Sequence, residues 1–158
     1  MRHFVHLVAR FVRSLTASRP GIADQALVAH HLRAPEATVF WRQPVPDLDH
    51  ALRGARHVLT GAPDRTDLVR AFLLHDIGKR HARLGTLGRS IVTALAMLRL
   101  PVGGRGRRYL DHAEIGAREL ADLGAPPLVV GFARHHHHQA PTGIDPADWG
   151  LLVAADHR

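Results

Sequence analysis

The chain has 158 residues, 46% of them apolar, enough for one folded core without any run of 18 or more apolar residues that would cross a membrane. It contains no cysteine, which excludes disulfide frameworks, thiolate zinc sites and thiol catalysis, so any metal must be held by His, Asp or Glu. The net charge of +7 comes from twenty arginines and one lysine, Lys79, and fourteen histidines form a surplus that calls for a use.

Apolar spacing is helical almost throughout. Phe4, Leu7, Val8, Phe11, Val12 and Leu15 recur at three- and four-residue steps, with Arg2, His6, Arg10 and Arg13 largely opposite. This basic amphipathic helix, ending before Arg19-Pro20-Gly21, either docks on the domain or makes a peripheral membrane contact through residues 1–18. The same stretch lacks the apolar core and cleavage site of a signal peptide, so a cytoplasmic protein is expected. Helices are predicted next from Ile22 to about Leu32 and from Pro35 through Trp41. Pro44 and Pro46 then interrupt the pattern, and Asp47 favours the start of a helix that carries His50 and stops near Gly61. A helix from Asp64 delivers His75-Asp76 at its C-terminal end, just before Gly78. A loop with Gly85 and Gly88 leads to an apolar helix from Ile91 to Leu100, followed by a flexible turn of Pro101 and three glycines. Leu110–Leu123 is predicted as a helix closed by Gly124, another runs from Leu128 into four consecutive histidines, and a last one begins around Pro146 and carries Asp156. The expectation is an all-α bundle of about seven to nine helices with short connections. Its predicted organisation is an N-terminal helical extension, 1–45, and a metal-binding domain, 46–158.

The chemistry concentrates in Leu73-Leu74-His75-Asp76-Ile77-Gly78-Lys79. Adjacent His and Asp offer a neutral nitrogen and a charged carboxylate to one divalent ion, and the two oxygens of Asp76 suit it to bridge two ions. Partners are available in His50, His112, the run His135-His136-His137-His138 and Asp156, each on or at the end of a different predicted helix. Helices of a bundle can converge such side chains on a core site. The lone lysine, Lys79, stands just beyond the doublet, where a compact ammonium can meet a phosphate.

The order His50, His75-Asp76, Asp156 resembles the HD superfamily of metal-dependent phosphohydrolases, over about Asp47 to the C-terminus. Asp111-His112-Ala113-Glu114-Ile115-Gly116-Ala117 and Arg134-His135-His136-His137-His138 resemble the further histidine signals of the HD-GYP and related bacterial branches, as in small stand-alone bacterial HD proteins. The Gly-Tyr-Pro signature is replaced by Gln139-Ala140-Pro141-Thr142-Gly143, so cyclic dinucleotide hydrolysis is not expected.

The resemblance implies metal ligation by His50, His75, Asp76 and Asp156, with His112, His136 and His137 forming or bordering a second site. His135 and His138 are not expected to ligate. It further implies a phosphohydrolase acting on a phosphorylated small molecule or nucleotide, with one or two divalent ions activating water and with Asp76 and Lys79 as catalytic residues. Iron or manganese suits a His and carboxylate set without thiolate, with zinc, nickel and magnesium as the other candidates. Arg53 is a second cation near His50, better suited to a structural salt bridge. The competing reading is a sensory or interaction domain that holds metal without turnover. Nucleic-acid binding is not expected, because the arginines are scattered apart from Arg105-Gly106-Arg107-Arg108 and no aromatic residues interleave them.

Overall fold

A computed structural model describes residues 17–157, and the expected first helix lies outside the described residues. Among the described residues there are nine α-helices, one 3-10 helix and no strand, as the apolar spacing requires. They are α1 (Ile22–His31), α2 (Ala34–Phe40), α3 (Val45–Gly61) and α4 (Thr66–Leu74), the 3-10 helix (Ile77–Ala82), then α5 (Thr86–Met97), α6 (Gly104–Leu110), α7 (His112–Asp122), α8 (Pro127–His135) and α9 (Pro146–Asp156). None of them is long and apolar enough to cross a membrane.

Helix α4 is the centre of the bundle. Leu68, Val69, Ala71, Phe72, Leu73 and Leu74 are all buried, so the helix is apolar around nearly its whole circumference, as a fully enclosed helix must be. It packs against α1, α2, α3, α8 and α9, and Phe40, Phe72, Phe132, Leu120 and Leu152 fill the same continuous core. Val28, Leu32, Val39 and Phe40 of the first two helices belong to that core as well. Because α4 runs through the interior, the residues that follow its last turn, His75 and Asp76, emerge inside the protein.

Starts and stops follow local chemistry. Prolines stand in the first turns of α2, α3, α8 and α9, where a missing N–H costs nothing. Asp145 caps α9 by accepting from the Ala147 N–H at 2.7 Å. Pro46 therefore begins α3 instead of breaking the chain, and that helix starts at Val45, ahead of Asp47. Asp47 is buried, and its carboxylate takes two hydrogen bonds from Arg89 of α5, at 2.6 and 2.8 Å.

Three sequence expectations need correction. The glycine-rich stretch after Pro101 is not a flexible turn; most of it is α6. A Cβ on Gly106 would lie 2.4 Å from Val102 Cγ1 and 3.0 Å from Val92 Cγ2, so this glycine marks close packing of α6 on α5. Gly88 lies inside α5, which runs from Thr86 to Met97 and not from Ile91 to Leu100. The predicted helix from Leu110 to Leu123 is interrupted at Asp111, which separates α6 from α7. The 3-10 helix after the doublet was not anticipated; a 3-10 segment reads as a short loop because it is under two α-turns long.

That 3-10 helix lies against α7 with backbone touching backbone. A Cβ on Gly78 would sit 2.0 Å from the carbonyl oxygen of His112 and 2.8 Å from the Gly116 nitrogen. Neither obstacle can rotate away. Gly78→Ala is expected to destabilise the protein by about 3 kcal/mol or more, read as a lowered denaturation midpoint; an unchanged midpoint would mean that the two backbones can separate freely.

A buried charge network ties α2 to the core. Glu36 is fully buried and accepts from Arg70 at 2.6 Å, from Arg33 Nη2 at 3.0 Å and from the Arg33 backbone N–H at 3.0 Å. Arg33 also donates to the carbonyls of Leu123 and Gly124 at the end of α7. Burial works against the charge of Glu36, but its arginine hydrogen bonds more than offset this and hold the carboxyl below its ordinary range. Its stabilisation is therefore complete above the unfolded-state value of about 4.3 and is lost as the pH falls through the lower folded value. Glu36→Gln should cost about 2 kcal/mol at neutral pH. The difference between variant and wild type should vanish in acid, as measured by urea unfolding across the pH range.

Candidate metal centre

Each candidate ligand is delivered by the end or the inner face of a helix. Gly54 on α3 lets the Phe72 ring lie where a Cβ would stand 2.0 Å from Cε1, so α3 and α4 approach closely. One turn earlier on α3, His50 reaches the end of α4, with its ring 5.5 Å from that of His75. The end of α9 brings Asp156, the start of α7 brings His112, and the end of α8 brings His136 and His137. All seven sequence candidates for metal ligation meet in one region, in two groups that could each hold a metal ion. His50, His75 and Asp76 form one and His112, His136 and His137 the other, with donor atoms within 4.8 Å of one another inside each group. Asp156 joins the first, its Oδ1 lying 3.0 Å from His50 Nε2 and 3.4 Å from His75 Nε2.

Asp76 stands between the groups. Its Oδ2 is 3.3 Å from His75 Nε2, whereas its Oδ1 is 3.3 Å from His112 Nε2 and 3.5 Å from His136 Nε2. His137 Nε2 closes the second group at 3.4 Å from His112 Nε2. The geometry thus has one carboxylate with an oxygen facing each histidine group.

The ring orientations share one cause. His75 Nδ1 lies 2.6 Å from the Phe72 carbonyl, His112 Nδ1 2.7 Å from that of Tyr109, and His136 Nδ1 3.0 Å from that of Ala133. A carbonyl only accepts, so each Nδ1 carries the proton, and in the neutral rings Nε2 turns a lone pair towards Asp76. His75 Nε2, His136 Nε2 and Asp76 Oδ1 are buried with no hydrogen-bond partner. Buried acceptors facing one another are costly unless positive charge lies between them, so this donor set fits a divalent cation.

The electrostatics agree. Burial works to strip His75 of charge, but the Asp76 and Asp156 carboxylates outweigh it and raise its pKa to about 10. Burial also opposes the two carboxylates, yet Lys79 and His75 hold Asp76, and His50 and His75 hold Asp156, well below the ordinary range. His50 and His136 are lowered, chiefly by burial. His137, although exposed to solvent, is lowered to about 3 by desolvation where it packs and by the neighbouring His136 and His112. The first group is anionic and attracts a proton or a cation; the second offers imidazoles that favour the uncharged, metal-binding form.

Lys79 is buried on the 3-10 helix, and its ammonium donates to Asp76 Oδ2. Arg53 is bound to Asp49 at 3.0 Å on the exposed face of α3, the structural salt bridge expected of it. His135 and His138 enter neither group among the described residues. Sequence reading missed Arg89 and Tyr109. Tyr109 stacks on His112 with centroids 5.9 Å apart, and the Arg89 guanidinium lies over the Tyr109 ring, 5.8 Å from its centroid, while gripping Asp47. No spacing rule links residues 47, 89 and 109, so nothing in the sequence could have found them. The carbonyls that orient the histidines were equally invisible, because any residue supplies one.

Each group has one member in contact with solvent. His75, Asp76 and His136 are buried, whereas the His50 side chain is 20% exposed and His137 is exposed.

Comparison with curated proteins returns no match, nor does comparison with solved structures. The HD domain model matches residues 47–156, well over half of the chain, from the aspartate in the first turn of α3 to the one that closes α9. With the His75-Asp76 doublet inside that span, the chain belongs to the HD domain family.

Proposed function

We propose that this protein is a metal-dependent phosphohydrolase whose two metal positions share Asp76. In this reading His50, His75, Asp76 and Asp156 hold one divalent ion, and Asp76, His112, His136 and His137 hold the other. The observation that carries it is the buried Asp76 carboxylate with one oxygen towards each histidine group. Membership of the HD domain family, which suggests metal-dependent phosphoester hydrolysis, supports the same reading.

A bound divalent pair supplies Lewis acidity towards a phosphoryl oxygen and lowers the pKa of water at the site. The chain's own residues do the rest. The backbone carbonyls of Phe72, Tyr109 and Ala133 hold three imidazoles in one tautomer and one orientation, so little reorganisation accompanies binding. Lys79 offsets the charge of Asp76 and is the cation we assign to a phosphoryl oxygen of the substrate. The apolar wall of Phe72 and Phe132 behind His75 keeps bulk water from the inner side. The substrate enters past His50 and His137. It is a phosphate ester, and nucleotides are the first class to test. The nitrogen and oxygen donors suit iron or manganese.

Two measurements test this. Stripped protein reloaded with manganese should bind two ions per chain, and one in a His112→Ala/His137→Ala variant; wild type saturating at a single ion would remove the shared-carboxylate arrangement. The loaded protein should hydrolyse at least one member of a phosphoester panel. Asp76→Asn should then lower kcat by about a thousandfold and Lys79→Gln by about ten- to a hundredfold. Full metal occupancy with no turnover on any substrate would favour a metal-holding interaction domain.

A further inference from the structure

The hairpin of α5 and α6 displays an apolar, cationic surface that the catalytic reading does not use. Helix α5 is amphipathic, but only Val92 among its residues is buried, where it faces Gly106 of α6. An apolar stripe on it, Leu87, Ile91 and Ala94, continued by Leu98 just past its end, follows the one-face spacing of a helix and is exposed along its whole length. Leu87 is 67% exposed and Leu98 69%, and the stripe runs into exposed Met97 and Leu100 at the hairpin tip. Among the described residues, six of the eight exposed large apolar side chains lie between residues 87 and 110. Isolated exposed leucines are ordinary; a contiguous stripe of this kind marks a contact surface.

The charge of this segment is one-sided. Between Asp76 and Asp111 there is no acidic residue, while there are seven arginines and Lys79. Arg99 and Arg105 flank the tip, and Arg108 follows one turn on. None of the three forms an ion pair with an acid among the described residues, and all are exposed. Arg99 holds φ +55°, in a turn where its N–H bonds to the Ala96 carbonyl and the Leu100 N–H to that of Leu95. Glycine ordinarily takes that left-handed position; an arginine there accepts strain and keeps a cation at the tip.

We propose that the α5–α6 hairpin docks on an anionic lipid surface, with the stripe from Leu87 to Leu98 entering the headgroup region and the tip arginines meeting lipid phosphates. Exposed aliphatic residues bordered by arginines and free of acids match that occupant. A second copy of the chain does not, since a self-complementary contact would set cations against cations. Nucleic acid does not either, because the segment's one aromatic residue, Tyr109, is engaged with His112 and no ring remains for stacking. Residues 1–16 carry Arg2, Arg10 and Arg13 and no acid, so they repel this face in charge. The proposal is independent of the metal chemistry.

The test is co-sedimentation of the full chain with phosphatidylcholine vesicles, with and without phosphatidylglycerol, at low and high salt. The wild type should sediment with the anionic vesicles alone, and less at high salt. A Leu87→Ser/Ile91→Ser/Leu98→Ser variant should lose that binding while keeping its circular dichroism and thermal midpoint. Arg99→Gly should weaken it about fivefold while folding at least as stably, since glycine relieves the left-handed backbone. Because the chain has no cysteine, Ile91→Cys can carry a single environment-sensitive fluorophore, which should shift to the blue on anionic vesicles. Absence of vesicle binding would overturn the proposal, as would binding that survives the hairpin variants but is lost in Phe4→Ser/Phe11→Ser. Dimerisation lost in the serine variant, or duplex DNA bound more tightly than vesicles, would assign the face to another partner and equally overturn it.

Discussion

The constraint on which this molecule turns is a carboxylate placed where no carboxylate would choose to be. Asp76 is almost completely buried, yet it remains charged, because Lys79 and three imidazoles surround it. Every nearby element is arranged to make that possible. An all-apolar α4 carries the chain into the interior, and Gly54 lets α3 close on α4 so that His50 arrives from one side. Gly78 and Gly116 let the 3-10 helix and α7 meet backbone to backbone, which brings His112 from the other. Buried charge of this kind is poor at adding stability and good at specifying one arrangement, since any slip leaves charge uncompensated.

Much of this was legible in the sequence. The doublet His75-Asp76 after an apolar run announced a buried turn bearing ligands, and His50, His112, His136, His137 and Asp156 are the residues that the fold brings to it. Helical periodicity located most of the helices because their apolar faces are wide and their prolines stand at first turns. Between residues 77 and 110 it found the helix that is α5, with its start placed too late, but missed the 3-10 helix and α6, for physical reasons. A 3-10 helix is too short to show a period, and glycine has the same letter whether it serves a flexible turn or a helix contact, as Gly106 does on α6. The Glu36, Arg33 and Arg70 network and the Asp47–Arg89 pair escaped notice because ion pairs across a bundle obey no sequence spacing.

Charge is also unevenly distributed over the fold. The acids of α1 to α4 and α7 to α9 are mostly taken up in pairs: Asp24 with Arg56, Asp148 with Arg65, Glu119 with Arg80 and Glu114 with Arg134. These pairs tie separate elements of the fold together. The stretch from Ile77 to Leu110 has no acids of its own. Glu119, Asp47 and Asp111 pair with its Arg80, Arg89 and Arg107, while Arg99, Arg105 and Arg108 of the α5–α6 hairpin meet no acid among the described residues and leave local positive charge there. That hairpin is also a wall of the metal centre, through Tyr109 and Arg89. A surface that meets a partner and the edge of the site therefore share two helices.

The three Nδ1 contacts to Phe72, Tyr109 and Ala133 have an evolutionary consequence. Each clamp joins residues three apart in a single chain segment and uses only main-chain oxygen. Replacing the side chain at 72, 109 or 133 leaves the clamp chemically intact wherever the helical turn survives. The orientation of these imidazoles is thus inherited with the helix ends themselves, free of any co-varying partner. Sequences can drift widely around such a centre, and divergent descendants can change what enters the site without having to reinvent how its ligands are aimed.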